Sequence, residues 1–324
     1  MSIVVITGAR GYIGSALVSR LACEGHGLRL VSRSPGAPRG QPAVAVKADH
    51  VVADLRDEAA WSSLIDRADA VIHLSSRTDL RAAEVDPAGD EDLNVEPMRA
   101  LVRAAERAPK PPIVAFASTV TIVGINPCNP VDEQTPDDPC SVYDHHKLAC
   151  ERILHEATTR GALRACSLRL SNVYGYGRAS VNVNRGVLND MMRQAASGKS
   201  LTLFGKGAYL RDFTFIDDVS DAFCRAIAAP AVCDGSHYVV ATGRGHGLAE
   251  VFKLIAAEVL AQTGRRVEIR RVGEPADLHP IERRNFVGNA RLFSARTGWQ
   301  PRYDLIRGIR DYFARALAFQ AAPP

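Results

Sequence analysis

The segment that most constrains the fold is Thr7–Gly14, which follows the apolar run Ile3–Ile6 near the start of the chain. Its glycines Gly8, Gly11 and Gly14 have the spacing GxxGxxG. Glycine lets the backbone turn tightly and approach a pyrophosphate closely, and the N-terminus of a following helix offers free N–H groups and a positive dipole end. A strand, this loop and a helix in that order predict a dinucleotide-binding site, with a purely structural turn as the alternative.

Short apolar runs alternate with helical patterns through the first half of the chain. Several runs are apolar at consecutive positions, as expected for parallel strands covered on both faces. The alternation predicts an α/β fold with a doubly wound parallel sheet of the Rossmann type. The expected strands are Ile3–Thr7, Leu28–Ser32, Val51–Asp54, Ala70–Ser75, Ile113–Ala117 and Ala165–Leu170, and the expected helices are Tyr12–Glu24, Glu91–Arg107 and Val142–Thr159.

The rhythm of these elements changes after Gly175-Tyr176-Gly177. We therefore place a dinucleotide-binding domain at residues 1–176 and a smaller C-terminal α/β substrate domain at residues 177–324. Some later elements are expected to return to the first domain. The elements expected in this second part are Arg185–Ser197, Leu201–Phe204, Phe213–Ile216, His237–Ala241, Ala249–Leu260 and Leu305–Phe319.

Composition excludes several other classes of protein. Of the 324 residues, 46% are hydrophobic and 23% are charged, so the chain can bury a large core. The formal charge of +4 is a mild basic excess, and no Lys/Arg run predicts a nucleic-acid partner. No apolar run approaches the roughly 20 residues of a membrane span, and no secretory leader is expected. The seven cysteines are scattered without a CxxC pair, which predicts reduced thiols, a cytoplasmic location and no metal site.

The end of the second expected strand bears on the choice of dinucleotide. NAD-binding versions of this fold place a carboxylate there, whereas this chain has Val31-Ser32-Arg33-Ser34. Arg33, helped by Arg10, can instead meet the 2′-phosphate of NADP, because a guanidinium makes bidentate phosphate contacts. The alternative is that both arginines are merely solvated. We expect NADP, with NAD as the other possibility, and place Asp54 near the adenine edge.

The candidate catalytic residues lie in the stretch Tyr143-Asp144-His145-His146-Lys147. Tyr143 and Lys147 are spaced i,i+4, so they share one face of a helix. A free tyrosine has a pKa of about 10, and a neighbouring ammonium lowers that pKa because it stabilises the phenolate. The pair therefore predicts proton transfer by Tyr143, with Lys147 also holding the nicotinamide ribose.

Two hydroxyl residues, Ser118 and Thr119, stand at the end of the fifth expected strand. We expect Thr119 to share a hydrogen bond with the reacting oxygen beside Tyr143, and Ser118 is its rival for that role. His145 and His146 point to other faces of the helix, so they are expected at the surface or at an interface.

With these residues identified, the chain resembles the extended short-chain dehydrogenases/reductases that act on nucleotide sugars, also called the NAD-dependent epimerase/dehydratase family. The resemblance covers nearly the whole length. It rests on Thr7–Gly14, Val71–Leu74, Asn94-Val95, Ser118-Thr119, Gly124, Tyr143 with Lys147, Leu168–Gly175, Arg211–Val219 and Thr297–Pro301. Within the family, stretches such as Phe116–Val120 and Ala241–Gly245 look most like the NDP-hexose 4-ketoreductases of deoxysugar biosynthesis.

The resemblance implies a nucleotide-diphosphate sugar as substrate and a homodimer as the assembly. The substrate-binding residues that it implies are Ser118, Thr119, Asn172, Arg185, Arg211 and Arg284, with Arg283 as the alternative to Arg284. The expected cofactor-binding residues are Gly8, Arg10, Gly11, Tyr12, Ile13, Gly14, Arg33, Asp54, Leu55, Leu74, Ser75, Tyr143 and Lys147. The homodimer would form when each subunit contributes two helices, Glu91–Arg107 and Val142–Thr159, to a four-helix bundle.

Three reactions share this scaffold in the family. A 4,6-dehydratase uses an Asp-Glu pair directly after the active-site Thr, where this chain has Val120 and Thr121, so dehydration is not expected. A 4-epimerase retains NAD and returns the hydride to the opposite face of C4. A 4-ketoreductase performs only that second transfer, from NADPH. Arg33 and the missing acid favour the ketoreductase, with the 4-epimerase as the alternative, and a non-catalytic dinucleotide sensor would not need Tyr143 and Lys147.

Overall fold

The computed structural model describes residues 2–34, 48–125, 128–177, 186–276 and 280–321, and its centre is a parallel sheet. The strands are β1 Ile3–Thr7, β2 Gly27–Ser32, β3 Ala48–Val52, β4 Ala70–His73, β5 Ile113–Thr119, β6 Arg164–Leu170, β7 Asn172–Tyr174, β8 Leu201–Phe204, β9 Leu210–Phe215, β10 His237–Val240, β11 Gly245–Gly247 and β12 Ile269–Val272. Seven of them form the central sheet in the order β10-β6-β5-β4-β1-β2-β3, with every neighbouring pair parallel.

Helices cover both faces of this sheet. They are α1 Tyr12–Cys23, α2 Glu58–Ile65, α3 Leu80–Val85, α4 Pro87–Asn94, α5 Glu96–Arg107, α6 Val142–Thr159, α7 Val187–Ala196, α8 Ile216–Ala228, α9 Leu248–Thr263, α10 Arg291–Thr297 and α11 Leu305–Ala321. Among the described residues, no helix combines the length and the apolar composition of a membrane span. The predicted doubly wound α/β fold is confirmed.

The central strands are apolar at consecutive positions because each of their faces packs against a different core. Val4 and Ile6 of β1 face a core that contains Leu17 of α1 and Phe223 of α8. Val5 of the same strand faces the opposite core, built from α2, α5 and α6. A strand buried on both faces has no polar side, so polar and apolar residues do not alternate along its sequence.

The later part of the chain adds two small sheets, of which one has the order β11-β9-β7 and the other pairs β12 with β8. A third core lies between these strands and α7, α9 and α11. Strand β10, although it follows residue 177, extends the central sheet beside β6. The chain therefore returns to the central sheet after residue 177, and the division into two domains stays a prediction.

Several predicted bounds differ from the structure, and the predicted helix Glu91–Arg107 is wrong in form. It consists of α4 and α5, which meet at Val95. Pro97 stands in the first turn of α5, where its missing N–H is tolerated, but it could not continue the helix from α4. Strand β3 ends at Val52, before Asp54, and β4 ends at His73, before Ser75. Strand β9 ends at Phe215, and Ile216 already begins α8.

One titratable side chain, His73, is completely buried in the core at the end of β4. Its ring stacks on Phe116, with ring centroids 5.9 Å apart, and its Nδ1 lies 2.9 Å from the Thr7 hydroxyl oxygen. Burial, reinforced by the charge of Lys147, lowers the pKa of His73 to about 3. The imidazole is therefore neutral in the folded protein at every pH above that value.

We expect this histidine to make the protein sensitive to acid. Its pKa is depressed on folding, so its contribution to stability is lost as the pH falls from about 6.5 towards 3. Between pH 7 and pH 4.5, wild type should lose about 2–3 kcal/mol of unfolding free energy more than His73→Asn, measured by urea denaturation at both pH values. Equal losses in the two proteins would contradict the buried neutral imidazole.

Candidate active site

A cavity of about 380 Å³ lies at the C-terminal edge of the central strands. Loops after β1, β4 and β5, the start of α1 and one face of α6 form its walls. It brings together eleven of the predicted site residues: Gly8, Gly11, Tyr12, Ile13, Gly14, Leu74, Ser118, Thr119, Tyr143, Lys147 and Asn172. Residues scattered over 165 positions of the sequence thus meet in one place because parallel strands present their C-terminal ends at a common edge.

The glycine loop leaves no room for side chains. Gly8 has φ +66°, and a Cβ there would lie 3.0 Å from the backbone nitrogen of Ser75. A Cβ on Gly14 would lie 2.2 Å from the carbonyl oxygen of Gly8. Gly11 precedes the first helical residue, and no side chain caps that end of α1. The loop therefore exposes backbone to the cavity at a helix N-terminus, which is the geometry that a pyrophosphate requires.

Thr7 joins the loop to the neighbouring strand. Its buried hydroxyl oxygen accepts hydrogen bonds from the backbone N–H groups of Leu74 and Ser75, both at 3.1 Å. These bonds fix the chain where it leaves β4. Leu74 lines the cavity, whereas Ser75 does not belong to the lining.

Lys147 is a buried residue of the cavity wall, on the same helix as Tyr143. Its ammonium donates to the carbonyl oxygen of Ala117 at 2.8 Å and lies 5.7 Å from the centre of the Tyr143 ring. Burial lowers the pKa of Lys147 to about 8, although nearby acidic groups oppose the change. The positive charge beside Tyr143 is therefore present at neutral pH and is lost as the pH rises through about 8.

Thr119 is linked to a buried carboxylate through a second threonine. Its hydroxyl oxygen lies 2.9 Å from that of Thr121, and the Thr121 hydroxyl donates to Asp144. The Ser141 hydroxyl donates to the other oxygen of the Asp144 carboxylate at 2.7 Å. Asp144 is fully buried, next to Tyr143 in α6.

Ser118 is linked to a second buried carboxylate. Its hydroxyl donates to Glu151, whose carboxylate is paired with Arg169 of β6 through bonds of 2.6–3.2 Å. Arg169 also contacts Asp137 at 2.7 Å and is 1% exposed. Glu151 follows Lys147 by one helical turn of α6. This spacing places it on the same helix face as Tyr143 and Lys147, which is the signal by which the sequence could have identified it.

The two histidines of α6 differ in their surroundings. His145 is exposed, in agreement with the prediction. His146 is largely buried, and its Nδ1 lies 2.8 Å from the carboxylate of Asp90 in α4. Of the two predicted positions for His146, the exposed surface is excluded because α4 packs over that face of α6, and the subunit interface stays a prediction.

Five predicted cofactor-binding residues lie outside the cavity lining: Arg10, Arg33, Asp54, Leu55 and Ser75. Arg10 donates to the carbonyl and hydroxyl oxygens of Ser34, at 3.1 and 3.2 Å, and Arg33 is exposed. Hydrogen bonds from Arg56 lower the pKa of Asp54 to about 2. Leu55 is buried. Contacts of these residues with a dinucleotide stay predictions.

The predicted substrate arginines are mostly buried. Arg211 donates to the carbonyl oxygens of Glu282 and Arg284, and Arg284 is 8% exposed. The Nε of Arg284 has no hydrogen-bond partner among the described residues. Burial and then the neighbouring Arg211 lower the pKa of Arg284 to about 10. Arg185 lies outside the described residues.

Sequence reasoning missed part of the cavity wall. The additional lining residues are Ser76, Thr78, Ala117, Leu170, Ser171, Val173, Gly186, Val187, Leu188 and Phe213. Ser171 follows β6 directly, and Phe213 lies two residues after Arg211 on the same face of β9. Both positions neighbour predicted site residues, which is the signal that could have found them.

The comparisons with known proteins agree with this arrangement. The model of the NAD dependent epimerase/dehydratase family matches residues 4–241. A UDP-glucose 4-epimerase of Mycolicibacterium smegmatis is 32% identical over 313 residues, which cover 94% of this chain and 95% of that protein. A dTDP-L-rhamnose 4-epimerase of Burkholderia thailandensis is 25% identical, with 95% and 93% covered.

Two solved structures have the same fold as this chain over nearly its full length. The UDP-glucose 4-epimerase of Thermus thermophilus, solved in complex with NAD, has a TM-score of 0.80 and 26% identity, with 99% of this chain and 100% of that chain covered. The UDP-glucose 4-epimerase of Thermotoga maritima, solved with UDP-glucose, has a TM-score of 0.85 and 24% identity, with 97% and 99% covered. The chain belongs to the NAD dependent epimerase/dehydratase family.

Proposed function

We propose that this protein is a 4-epimerase of a nucleotide-diphosphate sugar and that it retains a bound NAD through each turnover. The observation that carries the proposal is that Thr119, Tyr143 and Lys147 share one cavity with the glycine loop. The relatives named as 4-epimerases, which match nearly the full length of the chain, support this reaction over the reduction favoured by the sequence.

The residues of the cavity fit a dinucleotide. A Cβ at Gly8 would collide with the backbone of Leu74 and Ser75, and a Cβ at Gly14 with the backbone of Gly8 and Ala9, so only glycines allow the loop to pack this tightly beside the uncapped start of α1. The loop held in this way offers its backbone to a pyrophosphate. When bound, the nicotinamide supplies a reversible acceptor for the hydrogen of C4. Lys147 is the candidate to hold the nicotinamide ribose.

The roles of the catalytic residues follow from their surroundings. Tyr143 takes the proton of the C4 hydroxyl when the sugar is oxidised and returns it when the sugar is reduced. Tyr143 must be a phenolate to take the proton, and the buried ammonium of Lys147 stabilises that phenolate before oxidation and again after reduction. While C4 is a ketone, Tyr143 is a neutral phenol that holds the proton. Thr119 orients the C4 oxygen. Because the same groups serve both directions, the reaction consumes no external reductant.

Dehydration is disfavoured by the residues after Thr119. Val120 is buried and apolar, and the hydroxyl of Thr121 is engaged with Thr119 and Asp144. Neither can remove a proton from C5 as a carboxylate does.

The buried arginine pair supports an anionic substrate. Arg211 and Arg284 lie close together, and the nearby charge of Arg211 contributes to the lowered pKa of Arg284. Two like charges in a low dielectric destabilise each other, and the Glu282 carboxylate, 3.6 Å from Arg211, compensates part of this charge. A bound diphosphate supplies the further negative charge, and Asn172 of the cavity wall completes the proposed substrate site.

A second candidate function is an NADPH-dependent 4-ketoreductase. The observation that favours it is the exposed Arg33 at the end of β2, where an acid would contact the ribose of NAD. In that reaction Tyr143 only donates its proton.

The predicted homodimer also stays a proposal. Helices α5 and α6 pack side by side on one face of the sheet, as a four-helix bundle between two subunits requires.

Turnover without added cofactor distinguishes the two reactions. Purified protein mixed with UDP-galactose, UDP-glucose or the corresponding dTDP sugars should form the 4-epimer without any added nicotinamide, as followed by chromatography of the sugar nucleotides. The ketoreductase would be established instead if none of these sugars is epimerised and an NDP-4-keto-6-deoxyhexose oxidises added NADPH.

The role of Tyr143 predicts a defect in the chemical step. Tyr143→Phe should lower kcat by about 10²–10⁴-fold with little change in KM, because the phenol transfers a proton in the transition state. Tyr238→Phe is the matched control, since Tyr238 lies in β10 outside the cavity lining. Undiminished turnover by Tyr143→Phe would remove Tyr143 from the mechanism.

The glycine cradle predicts a loss of bound dinucleotide. Gly14→Ala should reduce the NAD that copurifies with the protein at least about tenfold, because the new Cβ would lie 2.2 Å from a backbone oxygen. NAD is measured in acid extracts of the purified protein. Gly273→Ala is the control, since a Cβ there meets nothing within 4 Å. Equal NAD content in Gly14→Ala and wild type would overturn the assigned cofactor site.

A further inference from the structure

Two hydroxyl groups in the wall of the catalytic cavity direct their protons away from the cavity. These are the hydroxyls of Thr119 and Ser118, and each leads to a different buried carboxylate. A hydroxyl has only one proton to donate, and an ionised carboxylate can only accept. The direction of each hydrogen bond can therefore be assigned by following the protons outward from the carboxylates.

The chain that starts at Asp144 fixes Thr119. Thr121 donates its one proton to the Asp144 carboxylate, so it has none left for Thr119. The contact of 2.9 Å between the two threonine oxygens must then be a donation from Thr119 to Thr121. The backbone N–H of Thr121 donates to the Thr119 oxygen at 3.2 Å. What remains for a bound molecule is a lone pair of Thr119.

The chain that starts at Glu151 fixes Ser118 in the same way. Glu151 is 6% exposed and accepts hydrogen bonds from Arg169 at 3.0 and 2.6 Å. The Ser118 hydroxyl donates to this carboxylate, so its remaining lone pairs can only accept. A third hydroxyl of the wall, that of Ser76, donates to the side-chain oxygen of Asn94 at 3.0 Å.

We infer that Asp144, acting through Thr121, is a positioning residue that makes Thr119 a hydrogen-bond acceptor towards the substrate, with Glu151 doing the same for Ser118. This inference rests on the proposed function and deepens it. The cavity then recognises C4 in its alcohol form, because a C4 hydroxyl can donate to Thr119 and a ketone oxygen cannot. Since a hydroxyl has only one proton to donate, the C4 hydroxyl donates to Thr119 on binding and turns the same proton to Tyr143 by rotation about the C4–O bond when oxidation begins. Tyr143 becomes the group that provides a proton when C4 is a ketone.

This arrangement suits a reaction that begins from an alcohol. An acceptor aimed at the C4 hydroxyl holds its proton-bearing oxygen in a fixed orientation beside Tyr143. A pure reductase, whose substrate is the ketone, would instead benefit from a donating threonine. The two buried carboxylates accept the protons of the wall hydroxyls, and in this way they favour binding of the sugar as an alcohol over binding as a ketone.

The test compares two ligands that differ in one hydrogen-bond donor. UDP-glucose and UDP-4-deoxy-4-fluoroglucose are titrated by calorimetry into protein carrying Tyr143→Phe, which blocks turnover. Fluorine cannot donate, so the background protein should prefer the hydroxyl ligand. Thr121→Val frees the proton of Thr119, and this preference should fall about fivefold, the value of one net hydrogen bond.

Two further variants make the result specific. Thr121→Ser keeps the hydroxyl and should keep the preference. Thr121→Ala removes the hydroxyl without adding a methyl group and should behave like Thr121→Val if the valine disturbs folding. A preference unchanged in both Thr121→Val and Thr121→Ala would overturn the inference alone, because the proposed function would still stand. Failure of both ligands and of their dTDP counterparts to bind the background protein would overturn the nucleotide-sugar proposal and this inference with it.

Discussion

The parallel register of the central strands is the constraint on which the rest of the site depends. Thr7 at the end of β1 pairs with His73 at the end of β4, and Thr119 at the end of β5 pairs with Leu170 at the end of β6. Each strand therefore delivers the residues that follow it to the same edge. A shift of one residue in any pair would turn Thr119 or Thr7 to the opposite face of the sheet.

The site is also organised by the cost of burying polar groups. Lys147, Asp144 and Glu151 are all nearly inaccessible to water, and each has partners of opposite charge or with hydrogen bonds to offer. A buried charge without such partners is unstable, so these contacts restrict the side chains to one arrangement. His73 satisfies the same condition differently, by remaining neutral. These contacts give the wall of the cavity a defined hydrogen-bond polarity.

Local patterns in the sequence predicted the parts of this site that depend on local geometry. The glycine loop follows from backbone sterics, and helix α6 begins at Val142 and ends at Thr159 as expected, because Ser141 caps its start. The break at Val95 was missed although Pro97 lies inside the predicted helix Glu91–Arg107, where a proline cannot make the backbone hydrogen bond of a continuous helix. The pairing of Glu151 with Arg169 was not predicted, because it joins α6 to β6 and depends on tertiary packing.

The choice between epimerase and reductase also lay beyond the sequence. Arg33 follows β2 at the position of the ribose-binding acid. Because its side chain is exposed, only a bound dinucleotide would show whether it contacts a phosphate. The acceptor polarity that we propose for Thr119 depends on Asp144 and Thr121, whose contact is visible only in three dimensions. The relatives named as 4-epimerases match nearly the full length of the chain, and they support our proposal that the reaction starts from the C4 alcohol.

The fate of the hydrogen on C4 tests the central claim most directly. UDP-galactose carrying deuterium at C4 is incubated with the protein and unlabelled NADP, and the sugar and nicotinamide products are analysed by mass spectrometry and NMR. If the same hydrogen is removed and returned within one active site, the UDP-glucose formed keeps the deuterium at C4 and the added NADP stays unlabelled. Deuterium found on the added NADP, with no labelled UDP-glucose, would contradict the account and identify an exchanging oxidoreductase.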